Sequence, residues 1–526
     1  MANYPSIFND VIGPVMRGPS SSHCAASLRI GRICRDLMNA ELTDIKIEFD
    51  PNGSLATTHE SQGSDMGLFG GFLGWEAYDE RLVKATSEIK AARINVVIDI
   101  LDIGATHPNT YKLTLRNTHE KHELIAISVG GGMIEIIEID GNPLSMEGDY
   151  YETLIYCNDL DNVRAYFEKF IPNEFIKFHK GETSFYQLKT SSPIQNDILQ
   201  MLSEFEEVIS IKSINPVLPV LSRDGIKVPF NNCEGMLSYN ADKSLELWEL
   251  AVHYESARGN ISHDEVFFRM GEIVDIMDAS IRSGLKGTEF KDRILGAQSL
   301  VFKDKLESRS LLEGDMMNTI IMFVSSMMEV KSSMGVIVAA PTAGSCGALP
   351  GAVIGVASTL NLSREETIKA MLAASMIGIF IAAHATFAAE VGGCQAECGS
   401  GSGMAAAALV FMANGSLHQS LSAASLALQN SLGMICDPIA NRVEAPCLGR
   451  NVMAATNALS CANMALANYD HLIPLDEVVD TMDKVGKAID AELRCTALGG
   501  LSITKTAKEI ESKLGEVNTG MVFKSC

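Results

Sequence analysis

Apolar and polar positions change their period partway along the 526-residue chain. Before about residue 225, short runs alternate: Ile45-Lys-Ile-Glu-Phe49, Ile94-Asn-Val-Val-Ile98, Tyr111-Lys-Leu-Thr-Leu115 and Ile134-Glu-Ile-Ile-Glu-Ile139. A period near two with β-branched residues predicts strands. Between 153 and 218 the pattern predicts a strand (153–156), an amphipathic helix (160–170) and a hairpin (175–178 and 185–188, with Lys180-Gly181 at the turn). A helix (194–205) and a last strand (208–214) follow. This βαββαβ order is the ferredoxin-like arrangement of small regulatory domains.

From about residue 240 the chain turns helical and rich in Ala, Met and Gly. Ser363-Arg-Glu-Glu366 reads as a capping box, and Pro474-Leu-Asp-Glu477 opens a helix with acidic residues in its first turn. The run 370–389 is long and apolar enough to cross a bilayer. Its small residues, its His384 and the lack of aromatic or basic flanks point instead to a buried core helix. The expected fold is α+β: a mixed α/β unit over 1–150, the βαββαβ unit over 151–222, a linker over 223–239 and a helical unit over 240–526.

The net charge of −23 repels phosphate backbones and anionic lipid, so neither nucleic acid nor membrane is expected as a partner. A small anionic substrate would need local donors or a metal. The start, Met1-Ala-Asn-Tyr-Pro, shows no export signal, and the twelve cysteines are expected to be reduced thiols in a cytoplasmic protein. Some, such as Cys34 and Cys461, are expected simply to pack.

Three segments combine cysteine with glycine or proline: Glu390-Val-Gly-Gly-Cys-Gln-Ala-Glu-Cys398, Cys436-Asp-Pro-Ile439 and Ala445-Pro-Cys-Leu-Gly-Arg-Asn451. Cys394, Cys436 and Cys447 could converge as thiolates around an iron–sulfur cluster, and three thiolates on four irons leave one iron open as a Lewis acid. The spacing equally admits zinc held by Cys394, Cys398, Cys436 and Cys447, or packed thiols. Spacing alone leaves the three open.

These segments resemble the α domain of the bacterial iron–sulfur L-serine dehydratases. Ala340-Pro-Thr-Ala-Gly-Ser-Cys-Gly-Ala-Leu-Pro350 is similar to that family's signature, as are Gly392-Gly-Cys-Gln-Ala-Glu397, Cys436-Asp-Pro-Ile439, Pro446-Cys447 before Arg450-Asn451, and Thr496-Ala-Leu-Gly-Gly500. The N-terminal half carries similar β-domain motifs: Ile12-Gly-Pro14, Gly18-Pro-Ser-Ser-Ser-His23, Gly53-Ser-Leu-Ala-Thr-Thr58, His107-Pro-Asn109 and Ser128-Val-Gly-Gly-Gly132. The βαββαβ unit sits where some members carry an ACT-like domain.

The resemblance implies a [4Fe–4S] cluster on Cys394, Cys436 and Cys447, with the terminal Cys526 as a temporary fourth ligand. It implies a lyase that eliminates water from a small β-hydroxy amino acid, L-serine giving pyruvate and ammonia, in amino-acid degradation and gluconeogenesis. Ser20, Ser21, Ser22, Thr342, Ala343, Gly344, Asp65 and Arg450 would hold the substrate. Where many members read Gly-His-Gly-Thr-Asp with histidine as the base, this chain reads His59-Glu-Ser-Gln-Gly-Ser-Asp65, with Gln62 at the histidine position. Glutamine cannot act as a general base near neutral pH, which leaves His59, His23 or His384 for that role. The change keeps two alternatives in view: a cluster lyase for another β-hydroxy or β-thiol acid, such as a cysteine desulfidase, and a non-catalytic ligand-binding homologue. The expected assembly is a homodimer.

Overall fold

The computed structural model describes residues 4–157, 164, 166, 175–181 and 183–519. Most of the helix expected over 160–170 and the terminal Cys526 lie outside the described residues.

After β1 (Val15–Met16), six strands form the first sheet: β2 (Asp44–Phe49), β3 (Asn95–Ile100), β4 (Thr110–Arg116), β5 (Lys121–Gly130), β6 (Met133–Ile139) and β7 (Asn142–Met146). Their order is β3-β2-β4-β5-β6-β7. Only β2 and β3 pair in parallel, Asp44 opposite Asn95. Parallel neighbours require a crossover, and this one carries His59, Gln62 and the helices Ser64–Phe72 and Ala85–Ala91. Strands β2, β3, β4 and β6 lie where the alternation put them. The sequence reading missed β5, because Ile125 and Ile127 make its second face as apolar as the one that buries Leu124 and Ala126.

The second sheet holds β8 (Tyr151–Cys157), β9 (Phe175–His179), β10 (Phe185–Thr190) and β11 (Val208–Ile214), all antiparallel in the order β11-β8-β10-β9. Helix Asn196–Ser203 places Leu202 against Ile155, Tyr186 and Leu188. The Tyr156 hydroxyl donates to Asp140 at 2.8 Å and Lys212 pairs with Glu120 at 2.5 Å, which ties this sheet to the first.

The helical half begins at Cys233–Asn240, inside the stretch expected as linker, with Asn232 accepting the Gly235 N–H as its cap. Helix Arg364–His384 opens on the expected box: the Glu366 N–H donates to Ser363 Oγ and the Ser363 N–H donates to the Glu366 carboxylate. The run 370–389 is not one helix, however. Ala385 takes φ −140 and ψ −145, and a separate turn follows over Ala389–Gly392. Helix Arg364–His384 and the stretch Ala343–Leu360 are long and apolar enough to cross a membrane, yet the protein buries 78% and 83% of them. Helices Leu247–Gly259, His263–Gly284 and Ser400–Met412 surround the first of these.

The two halves interlock. The Ser6 hydroxyl and the Ile7 N–H donate to Glu255, and β1 pairs with β12 (Ile337–Val338). One hydrophobic core therefore runs through both.

Helices Ala26–Leu37 and Ser64–Phe72 pack nearly backbone to backbone. A Cβ on Gly67 would meet Cys24 O at 2.2 Å, and one on Gly71 would meet Leu28 O at 2.2 Å. The contacts advance in the same sense along both chains, so Ser21-Ser-His23 and Ser64-Asp65 share one end of the pair. Gly71→Ala is expected to lower stability by about 1–3 kcal/mol, the usual range for overpacking. An unchanged thermal midpoint would show that the helices separate freely.

Candidate active site

Cys394 precedes a wide helical turn, Gln395–Gly399, that runs into helix Ser400–Met412. Wide turns of this kind inside helices are common at functional sites. Gly393 sits at φ +73, where a Cβ would lie 2.6 Å from Met434 O. That close approach lets the Gln395 N–H donate to Met434 O at 3.1 Å and the Gly433 N–H donate to Gln395 Oε1 at 2.8 Å. Cys394 is thereby set beside Cys436. Their sulfurs and a Glu397 carboxylate oxygen lie within 4.8 Å of one another, a group that could hold a metal ion.

Cys447 is the first residue of helix Cys447–Leu466. Burial, then the nearby Cys394, pushes its thiol well up. Asn451, one turn on, accepts the Gly347 and Ala348 N–H groups and donates to Gly344 O. The cysteine helix and the 342–348 turn are thus locked together. Arg450 donates to Asp437 at 2.6 Å and to Cys394 Sγ at 3.5 Å.

The opposite wall comes from the N-terminal half. His23 is fully buried. Its Nδ1 lies 2.9 Å from Ser20 Oγ and 3.6 Å from Glu390, and its Nε2 lies 2.8 Å from Thr58 Oγ1. Burial, helped by His59, depresses its pKa to about 3, so the ring stays neutral. The Ala343 N–H donates to Ser21 Oγ, and Thr342 Oγ1 donates to Glu397 at 2.6 Å. Burial lifts Glu397 to about 7. Asn109 and Glu390 are buried here against each other, and Ser128 Oγ is buried with no hydrogen-bond partner among the described residues. A buried hydroxyl left unpaired at a site calls for a ligand or water.

His59 is partly exposed and its Nδ1 bonds Asp65 at 2.8 Å. Its wall meets the cysteine side through the Asn441 side chain, which donates to Thr57 O.

The structure thus brings together Ser20, Ser21, Ser22, His23, Thr342, Ala343, Gly344, Arg450, Cys394, Cys436 and Cys447 in one buried region, with His59 and Asp65 at its edge. It does not bring in His384. That residue was read as lying inside an apolar helix, but the helix ends there. Its ring is exposed and Nε2 meets Asn231 O at 3.0 Å. Sequence reasoning missed Glu390 and Cys495. Glu390 stood within a quoted segment, whereas Cys495 had no flanking glycine or proline to mark it.

For His59, burial lowers the pKa, but the Asp65 hydrogen bond and charge outweigh it and hold the ring above its ordinary value. The pair's stabilisation is full below the unfolded-state pKa and fades as pH rises through the raised value. Asp65→Asn is expected to lower the His59 pKa, because burial is then opposed only by the weaker Glu60 charge; an NMR titration of the ring unchanged from wild type would contradict the pairing.

Residues 242–502 match the family described as serine dehydratase alpha chain. The probable L-serine dehydratase alpha chain of Bacillus subtilis is 36% identical over 285 residues, 54% of this chain and 95% of that protein. The probable beta chain of the same organism is 35% identical over 219 residues, 40% of this chain and 98% of that one. The L-serine dehydratase of Helicobacter pylori is 26% identical over 500 residues, 93% and 96% of the two chains. The alpha-chain match falls on the helical half, relatives occur both as separate alpha and beta chains and as a single chain, and this chain belongs to the L-serine dehydratase family.

Proposed function

We propose that the protein is an iron–sulfur L-serine dehydratase, releasing pyruvate and ammonia. The observation that carries the reading is the meeting of Cys394 and Cys436, from separate segments, with Cys447 nearby in the same buried region. The donor set fits a cluster: the thiols are soft ligands, all are free, and Arg450 aims an N–H group at the Cys394 sulfur. In this reading Cys394, Cys436 and Cys447 hold a [4Fe–4S] cluster, which when bound supplies an open iron that makes the substrate's β-hydroxyl a better leaving group.

The chain's own groups do the rest. Hydroxyls of Ser20, Ser21 and Ser22 and the backbone of the 342–345 turn bind the substrate carboxylate. His23, held neutral by burial, is too weak a base for the α-proton and instead orients Ser20 and Thr58. His59 takes that proton: Asp65 fixes its Nδ1 and raises its basicity, leaving Nε2 to act. Loss of the α-proton and of hydroxide gives aminoacrylate, which becomes the imine and hydrolyses. Residues 151–222 serve as an ACT-like regulatory unit.

Cys436→Ala is expected to abolish the brown colour and pyruvate release together in anaerobically prepared protein; cluster absorption that persists would overturn the ligand assignment. His59→Gln is expected to slow turnover about 10²- to 10⁴-fold, the usual worth of a positioned base, with the cluster intact. A wild-type rate in that variant would move the role to another group.

A further inference from the structure

We propose that the cleft between helix Ala26–Leu37, helix His263–Gly284 and the Pro216–Pro219 segment binds a small molecule with one carboxylate on an extended apolar body, and that Arg29 is its anion-binding group. None of the thiols and none of Ser20–His23 lines this cleft, so the proposal stands without the cluster reading.

The cleft encloses about 840 Å³, within the range of small-molecule sites. Much of its lining is apolar: Phe8, Ile12 and Leu28 come from the N-terminal half, and Ile273, Ile276 and Val338 from the helical half. The Pro216–Pro219 segment, which leads out of the second sheet, adds a further side. It is held there by the Val217 and Leu218 N–H groups, which both donate to Gly148 O.

Three arginines line the cleft, and two are spent. Arg32 pairs with Glu76 at 2.6 Å, and Arg269 pairs with Glu265 at 2.7 Å and donates to Pro219 O. Arg29 differs. It is 5% exposed, and its Nη1 is taken by Gly132 O at 2.5 Å and Met133 Sδ at 3.7 Å. Its Nε and Nη2 make no hydrogen bond among the described residues, and no carboxylate there forms an ion pair with it. Burial pulls its pKa down to about 10, against the longer-range attraction of Asp10. A guanidinium presents its N–H donors as a fork that matches a carboxylate, and a buried cation without a partner is costly until an anion meets it. Glu272, the one lining carboxylate not paired with an arginine, is exposed to solvent, where salt screens it. One unspent cation among apolar walls therefore selects a single anionic head on an apolar body.

Arg29 also ties the cleft to the substrate side. It stands on the helix that follows the Ser21–Ala25 turn. Its acceptor Gly132 belongs to the loop in which a Cβ on Gly130 would meet Ala388 N at 2.9 Å, just before Glu390. A ligand held by Arg29 against Ile273 and Ile276 bridges the two halves and favours their assembled arrangement.

Titration calorimetry of the full-length protein tests this with octanoate as the probe, and with acetate and 1-octanol as controls that carry the head or the body alone. Octanoate is expected to bind at one site per chain and to raise the thermal midpoint, because a ligand that binds only the folded state stabilises it. Both controls should bind at least about 10-fold more weakly, and Arg29→Met should weaken octanoate about 10- to 100-fold, the usual worth of a charge-assisted hydrogen bond. Should Arg29→Met fail to fold, Ile276→Trp decides: it fills the cleft from the helical half, leaves Arg29 in place and should abolish octanoate binding. Octanoate that does not bind, a control that binds as tightly, or an affinity unchanged in the folded variant overturns the proposal.

Discussion

The close approach of the Gly392–Gln395 backbone to Met434–Cys436 is the constraint on which the site depends. It needs a residue without a Cβ at Gly393, because Met434 O fills the space a side chain would take. It is secured on both sides by Gln395, whose side chain accepts from Gly433 and donates to Met482 O. Without that approach Cys394 and Cys436 would belong to two unrelated helical segments. With it, thiols and the Glu397 carboxyl share a volume from which water is excluded. Hydrogen bonds with the neighbouring thiols, then burial, hold the Cys436 thiol toward its neutral form, and burial does the same to the Glu397 carboxyl, unless a cation compensates. A soft metal centre is the compensation that suits sulfur.

The second constraint is the interlocking of the halves. Each wall of the pocket alone is incomplete: Ser21 takes its N–H donor from Ala343, His23 faces Glu390, and Cys495 is met by Gln62. The glycine-rich crossing of Ala26–Leu37 with Ser64–Phe72 presents one wall as a rigid unit, and Asn451 joins the cysteine helix to the 342–348 turn in the other.

Much of this was legible in the sequence where one physical signal dominated. Half-buried strands such as β2 and β4 alternate cleanly, and the Ser363–Glu366 box marks a helix start because both reciprocal hydrogen bonds are local. Glycine and proline beside Cys394, Cys436 and Cys447 flagged tight backbone turns. The reading failed where tertiary context overrode pattern. β5 is apolar on both faces, the 370–389 run hides a break at Ala385, and His384 was misplaced because the helix was taken to continue. Cys495 was passed over for a related reason: it stands just before the Thr496–Gly500 motif, but the bridge that brings this segment to Cys436 joins positions far apart in sequence.

The charge distribution explains how an acidic protein can hold a carboxylate-bearing substrate. Among the described residues, the cations near the thiols are engaged within the protein: Arg450 with Asp437 and Cys394, Lys331 with the Val443 carbonyl, and Arg494 with the Val391 carbonyl. In the proposed reading, recognition of the substrate carboxylate falls to neutral donors, the hydroxyls of the Ser20–Ser22 turn and the backbone of the 342–345 turn, beside a neutral His23. Neutral donors cost less to bury than a free arginine or lysine.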